Sequence, residues 1–198
     1  MPLEERRTLL LEAAWRVLST QGVHAATTRA ICAEAQMPQS AFHYCFRSRQ
    51  ELLREVVVGL LPQQMEASLS VVDRRGSLQT VLRKALVSYW DHVESEPLLH
   101  NVLYDITTTA LRDPDLVDLA HMQYARFQET ASEVLKAVAE IRNVSWTLPL
   151  PVLARMLVNV LDGMTLNYIV DRDRKAARAV LDSFAPILAG LAKSNKAK

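Results

Sequence analysis

The strongest constraint on this chain is the helix punctuation between Glu4 and Leu60. Leu10, Ala13, Ala14, Val17 and Leu18 recur at the spacing of one helical face, and Gln21-Gly22 stops that face, so a first helix runs from about Glu4 to Thr20. Thr27 or Thr28 can cap a short second helix through Ala35, after which Gln36-Met37-Pro38 turns the chain into a third helix from Gln39 to about Cys45. Ser48 and Glu51 form a capping box that opens a fourth helix carrying Leu52, Leu53, Val56, Val57 and Leu60. Two short helices joined by a tight turn and packed on a longer one are the geometry of a helix-turn-helix, whose second helix enters the major groove of DNA.

Downstream, helices are expected from Gly76-Ser77 to near Ser95, from Pro97 to near Arg112, from Asp113-Pro114 to about Ile141, from Pro151 to about Val170, and from Asp173 to about Leu191. Gly59 and Pro62 interrupt the fourth helix, whose pattern then continues toward Val72. Five glycines and little period-two alternation leave no strand evident, and Lys193 to Lys198 reads as a frayed polar tail. The fold class is therefore all-α. An N-terminal three-helix DNA-binding domain with a helix-turn-helix, residues 1–50, precedes a helical C-terminal domain, residues 51–198.

Composition narrows the function. At 198 residues and 49% hydrophobic content the chain can bury a substantial core, while a formal net charge of +1 means that DNA binding must come from a local patch. Cys32 and Cys45 lack the spacing of a disulfide framework or zinc site and fit a reducing cytoplasm, so a cytoplasmic location is expected. The apolar run from Leu148 to Val170 is broken by Arg155, Asn159, Asp162 and Asn167, so it reads as a buried helix and no membrane contact is expected. His24, His43, His92, His100 and His121 show no paired metal-ligand spacing, and no nucleophile-base set or glycine-rich phosphate loop occurs; no metal, cofactor or catalytic residue is expected. A small helical enzyme is the rival reading, and a redox-responsive DNA binder using Cys32 and Cys45 is another.

Ile31 and Phe42, with Ala35 and Phe46, can form the shared core of the helix-turn-helix. Gln39, Ser40, Ala41, His43 and Tyr44 are then left on the outer side of its second helix. Gln can bond adenine bidentately, Ala can touch a thymine methyl, and the hydroxyl and ring-nitrogen groups can reach phosphates. Thr27, Thr28 and Arg29 join this DNA-contacting set. Arg47 and Arg49 flank the fourth helix, whose N-terminal amides could share a phosphate with them. Arg6 or Arg7 could also touch the flanking backbone.

The stretches Ala13–Gly22, Thr27–Ala35 and Phe42–Leu52, with Thr27, Ile31, Phe46 and Leu52 in register, resemble the DNA-binding region of the tetracycline-repressor (TetR) family. That resemblance implies a homodimer of nine- or ten-helix chains, a ligand-binding C-terminal domain, and a four-helix interface built from the last two helices of each chain. Gln36 stands where the family usually has Gly, so it must adopt a left-handed backbone or alter the turn. Pro38 replaces a usual Ser, Ala41 a Thr, His43 a phosphate-binding Tyr and Arg49 a Lys. Leu103–Leu116 resembles the C-terminal domain of betaine-type regulators in the same family, without naming a ligand.

For the sensing domain, Tyr104, Thr107, Thr108, Tyr124, Phe127, Asn159 and Asp162 are the expected effector contacts among the fifth to eighth helices. Plain packing is the competing account of each aromatic, and an interhelical hydrogen bond that of Asn159 and Asp162, which lead as buried polar groups. Val152, Met156, Val160, Met164, Val180, Leu181, Phe184 and Leu188 are expected to supply the dimer surface. Together these features read as a ligand-responsive repressor that releases a palindromic double-stranded operator when a small-molecule effector binds.

Overall fold

The computed structural model describes residues 1–60 and 76–195, which form nine α-helices and one two-stranded ribbon. The expected continuation of the fourth helix toward Val72 lies outside the described residues. The helices are α1 (Leu3–Gln21), α2 (Thr28–Glu34), α3 (Gln39–Cys45), α4 (Arg49–Leu60), α5 (Leu78–Ser95), α6 (Pro97–Ala110), α7 (Val117–Arg142), α8 (Leu150–Asp171) and α9 (Arg174–Gly190). A single 3-10 turn, Val23–Ala25, links α1 to α2.

Caps set most of these boundaries. Thr27 accepts from the Ala30 amide at 3.2 Å and so starts α2; Ser77 does the same for Thr80 at 3.2 Å, and Asp173 for Ala176 at 2.9 Å. The Ser48 hydroxyl accepts from the Glu51 amide at 3.1 Å, the expected cap, while the Glu51 carboxylate reaches back one residue past Ser48 to take the Arg47 amide at 2.7 Å, a variant of the expected capping box. Gln36 ends α2 with φ +55°, the left-handed backbone anticipated at this turn.

Three expectations need correction. α7 begins at Val117 rather than Pro114, because the Asp113 carboxylate accepts from the Asp115 amide at 3.0 Å and holds a local turn in place of the first helical one. Strands do occur: β1 (Val144–Trp146) pairs antiparallel with β2 (Ala192–Ser194), Ser145 opposite Lys193. Each is too short to show period two in sequence. Lys193 and Ser194, placed in a frayed tail, therefore belong to a ribbon.

Two compact units emerge from the packing. One comprises the described residues of Met1–Leu61 and Leu98–Tyr124, the other those of Pro62–Pro97 and Ala125–Lys198. In the first, Leu10, Ala13, Ala14, Val17 and Leu18 of α1 are buried as expected, with Ile31, Phe42, Phe46, Leu52, Leu53 and Val57. The Phe42 and Phe46 rings sit 5.6 Å apart, and the Arg7 guanidinium lies 4.4 Å from the Phe46 centroid while bonding the Cys45 carbonyl and Glu55. In the second, α5 packs along α9, pinned by Arg83 to Asp182 at 2.7 Å and by Arg178 to Asp91 at 2.6 Å and to Glu94 at 2.9 and 3.1 Å. Trp90 lies edge-on to Tyr168 at 5.4 Å.

Candidate nucleic-acid interface

The α3 helix divides cleanly. Phe42 and Cys45 point into the core, Gln39, Ser40, His43 and Tyr44 are exposed, and Ala41 is half-buried. Tyr44 keeps 67% of its surface open and lies 5.7 Å from the Arg6 guanidinium, so Arg6 steadies an outward-pointing phenol. Arg29 and Arg47 are also exposed, Thr28 is half-buried, and the exposed Thr27 spends its hydroxyl oxygen on the α2 cap. Hydrogen-bonding groups, one methyl and two cations thus surround a helix of major-groove width.

Arg49 has a structural task that sequence alone did not assign. Its Nε donates to the Ala26 carbonyl at 2.7 Å and its Nη2 to the Val23 carbonyl at 2.6 Å, tying the start of α4 to the 3-10 turn. Burial pushes its guanidinium below the ordinary value, and the charge of Asp113 acts in the opposite sense. Arg7, offered as a phosphate contact, is committed to Cys45 and Glu55. Across the same 3-10 turn, the Val23 amide donates to the Asp105 carboxylate at 2.7 Å. Gly22, at φ +81°, leaves room for that carboxylate: a Cβ there would stand 3.1 Å from Asp105 Oδ2. These links join groups 82 and 26 residues apart in sequence, a separation that local patterns do not reveal.

Of the expected effector residues, Tyr104, Thr107, Thr108 and Tyr124 fall in the first unit, and Phe127, Asn159 and Asp162 in the second. Thr107 is buried and donates to the Leu103 carbonyl at 2.9 Å; Thr108 is exposed and donates to that of Tyr104 at 2.9 Å. Asn159, expected as a buried amide, is exposed on α8, because the apolar residues around it in sequence are shared between two opposite faces of that helix. Asp162 is half-buried and close enough to Tyr89 for its charge to matter: burial first, then the Asp162 charge, opposed by the neighbouring Thr165, together push the Tyr89 hydroxyl up to about 12. Tyr89 and Thr165 were missed, although Asp162 and Thr165 sit three apart on α8 and so share a face. Gln123 was missed too; it is buried on α7, and its side-chain oxygen has no hydrogen-bond partner among the described residues.

The dimer surface also needs correction. Met164, Leu181 and Leu188 are buried in the chain's own core and cannot serve it. Val152, Met156 and Val180 are exposed, and so are Leu166, Val170 and Ile187, which the sequence reading did not name; Val170 is 80% exposed.

Residues 10–56 match the family model of bacterial regulatory proteins of the tetR family, and residues 78–189 match that of the C-terminal domain of BetI-type transcriptional repressors. The chain belongs to the TetR family. It is a DNA-binding transcriptional repressor of that family, with a BetI-type C-terminal region. This TetR-family chain is 29% identical over 167 residues to the HTH-type nicotine-responsive transcriptional repressor HdnoR of Paenarthrobacter nicotinovorans, covering 84% of this chain and 85% of that protein. It is 25% identical to the multidrug binding protein EbrR, solved in complex with imidazole, with TM-score 0.65 over 92% of this chain and 95% of the other. A TetR transcription regulator from Haloarcula marismortui shares the fold at 16% identity, TM-score 0.72, over 96% and 100% of the two chains. No helix among the described residues is long and apolar enough to cross a membrane.

Proposed function

We propose that this TetR-family repressor is a homodimer that reads a palindromic operator through Gln39, Ser40, Ala41, His43 and Tyr44 and releases it when a small-molecule effector binds its C-terminal region. The outward polar face of α3 is the observation that carries the reading, because it exposes base-reading side chains on a helix whose other face is fully packed. Thr27, Thr28, Arg29, Arg47 and Arg49 supply the surrounding phosphate-facing set.

An effector role is supported by the kinship to a nicotine-responsive repressor, by the buried polar groups Thr107, Gln123 and Thr165, and by the half-buried Asp162. Within the first unit Tyr104, Thr108 and Tyr124, and within the second Phe127 and Asn159, are the further proposed effector contacts. Dimerisation is supported by the exposed apolar side chains of α8 and α9. A thiol switch is disfavoured: burial pushes the Cys32 thiol above its ordinary value, which lowers the fraction of reactive thiolate.

The test is selection from a randomised duplex pool by the purified protein. Recovery of an inverted repeat, with half-site centres about 34–36 Å apart or a multiple of that, supports the reading. Enrichment of a single half-site, or of nothing, overturns it.

A further inference from the structure

On α6 a single carboxylate reaches the reading head. Asp105 accepts from the Val23 amide at 2.7 Å, and the approach is possible because Gly22 has no side chain and adopts φ +81°. From α4, Arg49 donates to the two carbonyls that flank the same turn, Val23 at 2.6 Å and Ala26 at 2.7 Å. The turn is thereby held on its amide side by α6 and on its carbonyl side by α4. It also sets where α2 begins, since the Thr27 cap follows directly.

We infer that Asp105 is a positioning residue for operator recognition, holding the α1–α2 turn so that α2 and α3 present their outer faces at one angle. The inference rests on the proposed operator reading of α3 and adds the element that sets its orientation.

The experiment compares the full-length protein with Asp105→Ala, Asp105→Asn and the outward control Asn101→Ala, using the tightest duplex that the native protein recovers from a randomised pool and a scrambled duplex of equal length. Asn keeps an acceptor for the Val23 amide and Ala does not. Asp105→Ala is expected to bind the selected duplex about tenfold more weakly, the scrambled one within about twofold of native, and Asp105→Asn to recover most of the loss, as a lost charge-assisted hydrogen bond dictates. Exchange of the Val23 amide with solvent should be slow in the native protein and in Asp105→Asn. A normal ratio of selected to scrambled affinity in Asp105→Ala overturns the inference and leaves the operator reading intact. Failure of the native protein to enrich any duplex overturns the operator reading itself. If Asp105→Ala does not fold, Asp105→Asn decides: fast Val23 exchange in a folded Asn variant overturns the clasp.

Discussion

On α3 the outward positions are Gln39, Ser40, His43 and Tyr44; on α8 and α9 they include Val152, Met156, Val170, Val180 and Ile187. The same helical periodicity builds all three helices, and each buries its opposite face in its own unit. What differs is the chemistry left outside. A polar face with flanking cations suits the grooves and phosphates of a duplex, whereas a bare apolar face gains free energy only by meeting another apolar surface. The contrast shows that burial within one chain identifies the core, and the residues it leaves over identify the kind of partner.

The sharpest way to break this contrast is to place a charge on the apolar face. Ile187→Glu changes an exposed side chain, so the chain itself should stay folded, yet a carboxylate enclosed between two subunits is costly. Sedimentation at micromolar concentration should show monomer, and operator affinity should fall about a hundredfold or more as two-headed binding is lost. A dimeric Ile187→Glu protein would remove α9 from the interface. On the polar face, Gln39→Ala should relax preference at one base pair by about 1–3 kcal/mol, seen as a flattened specificity profile. Arg47→Ala should instead weaken all duplexes and lower the salt slope by about one phosphate. Arg47 is the better probe than Arg49, whose loss would also release Val23 and Ala26.

Smaller effects sharpen the account of each unit. Gln36→Gly removes a side chain from a left-handed backbone and should stabilise the protein by up to about 1 kcal/mol in urea unfolding. In the second unit, burial acts to raise the Glu94 carboxyl, but the Arg178 hydrogen bonds and charge, the Trp90 bond and Arg174 outweigh it and hold it below the ordinary range. A depressed carboxyl stabilises the fold above its unfolded value and loses that contribution as pH falls through the folded one. The stability gap between native protein and Glu94→Gln should therefore be widest near neutrality and close in acid. Because Arg178 is partly exposed and solvent screens the pair, that gap should be under about 1 kcal/mol.

Much of the reading head was legible because its signals are local. The buried stripe of α1, the bounds of α3, the Ser48–Glu51 box and the strained turn at Gln36 each lie within a few residues of the pattern that announces them. Asp105 on Val23, Arg49 on Ala26 and the pairing of Val144 with Ser194 depend on groups distant in sequence, which no window of helical spacing contains. α8 failed for another reason. It is apolar on more than one side, so composition could not say that Met164 faces its own chain and Val170 faces out.

The first unit is assembled from two separated pieces of chain, with α6 entering it after α5 has passed through the other. During synthesis this order sets a schedule. The head emerges with its core residues in hand, but Asp105 follows Leu60 only after about 2–9 s of further elongation at typical rates of about 5–20 residues per second. Until then the Val23 amide lacks the carboxylate that accepts from it in the finished fold.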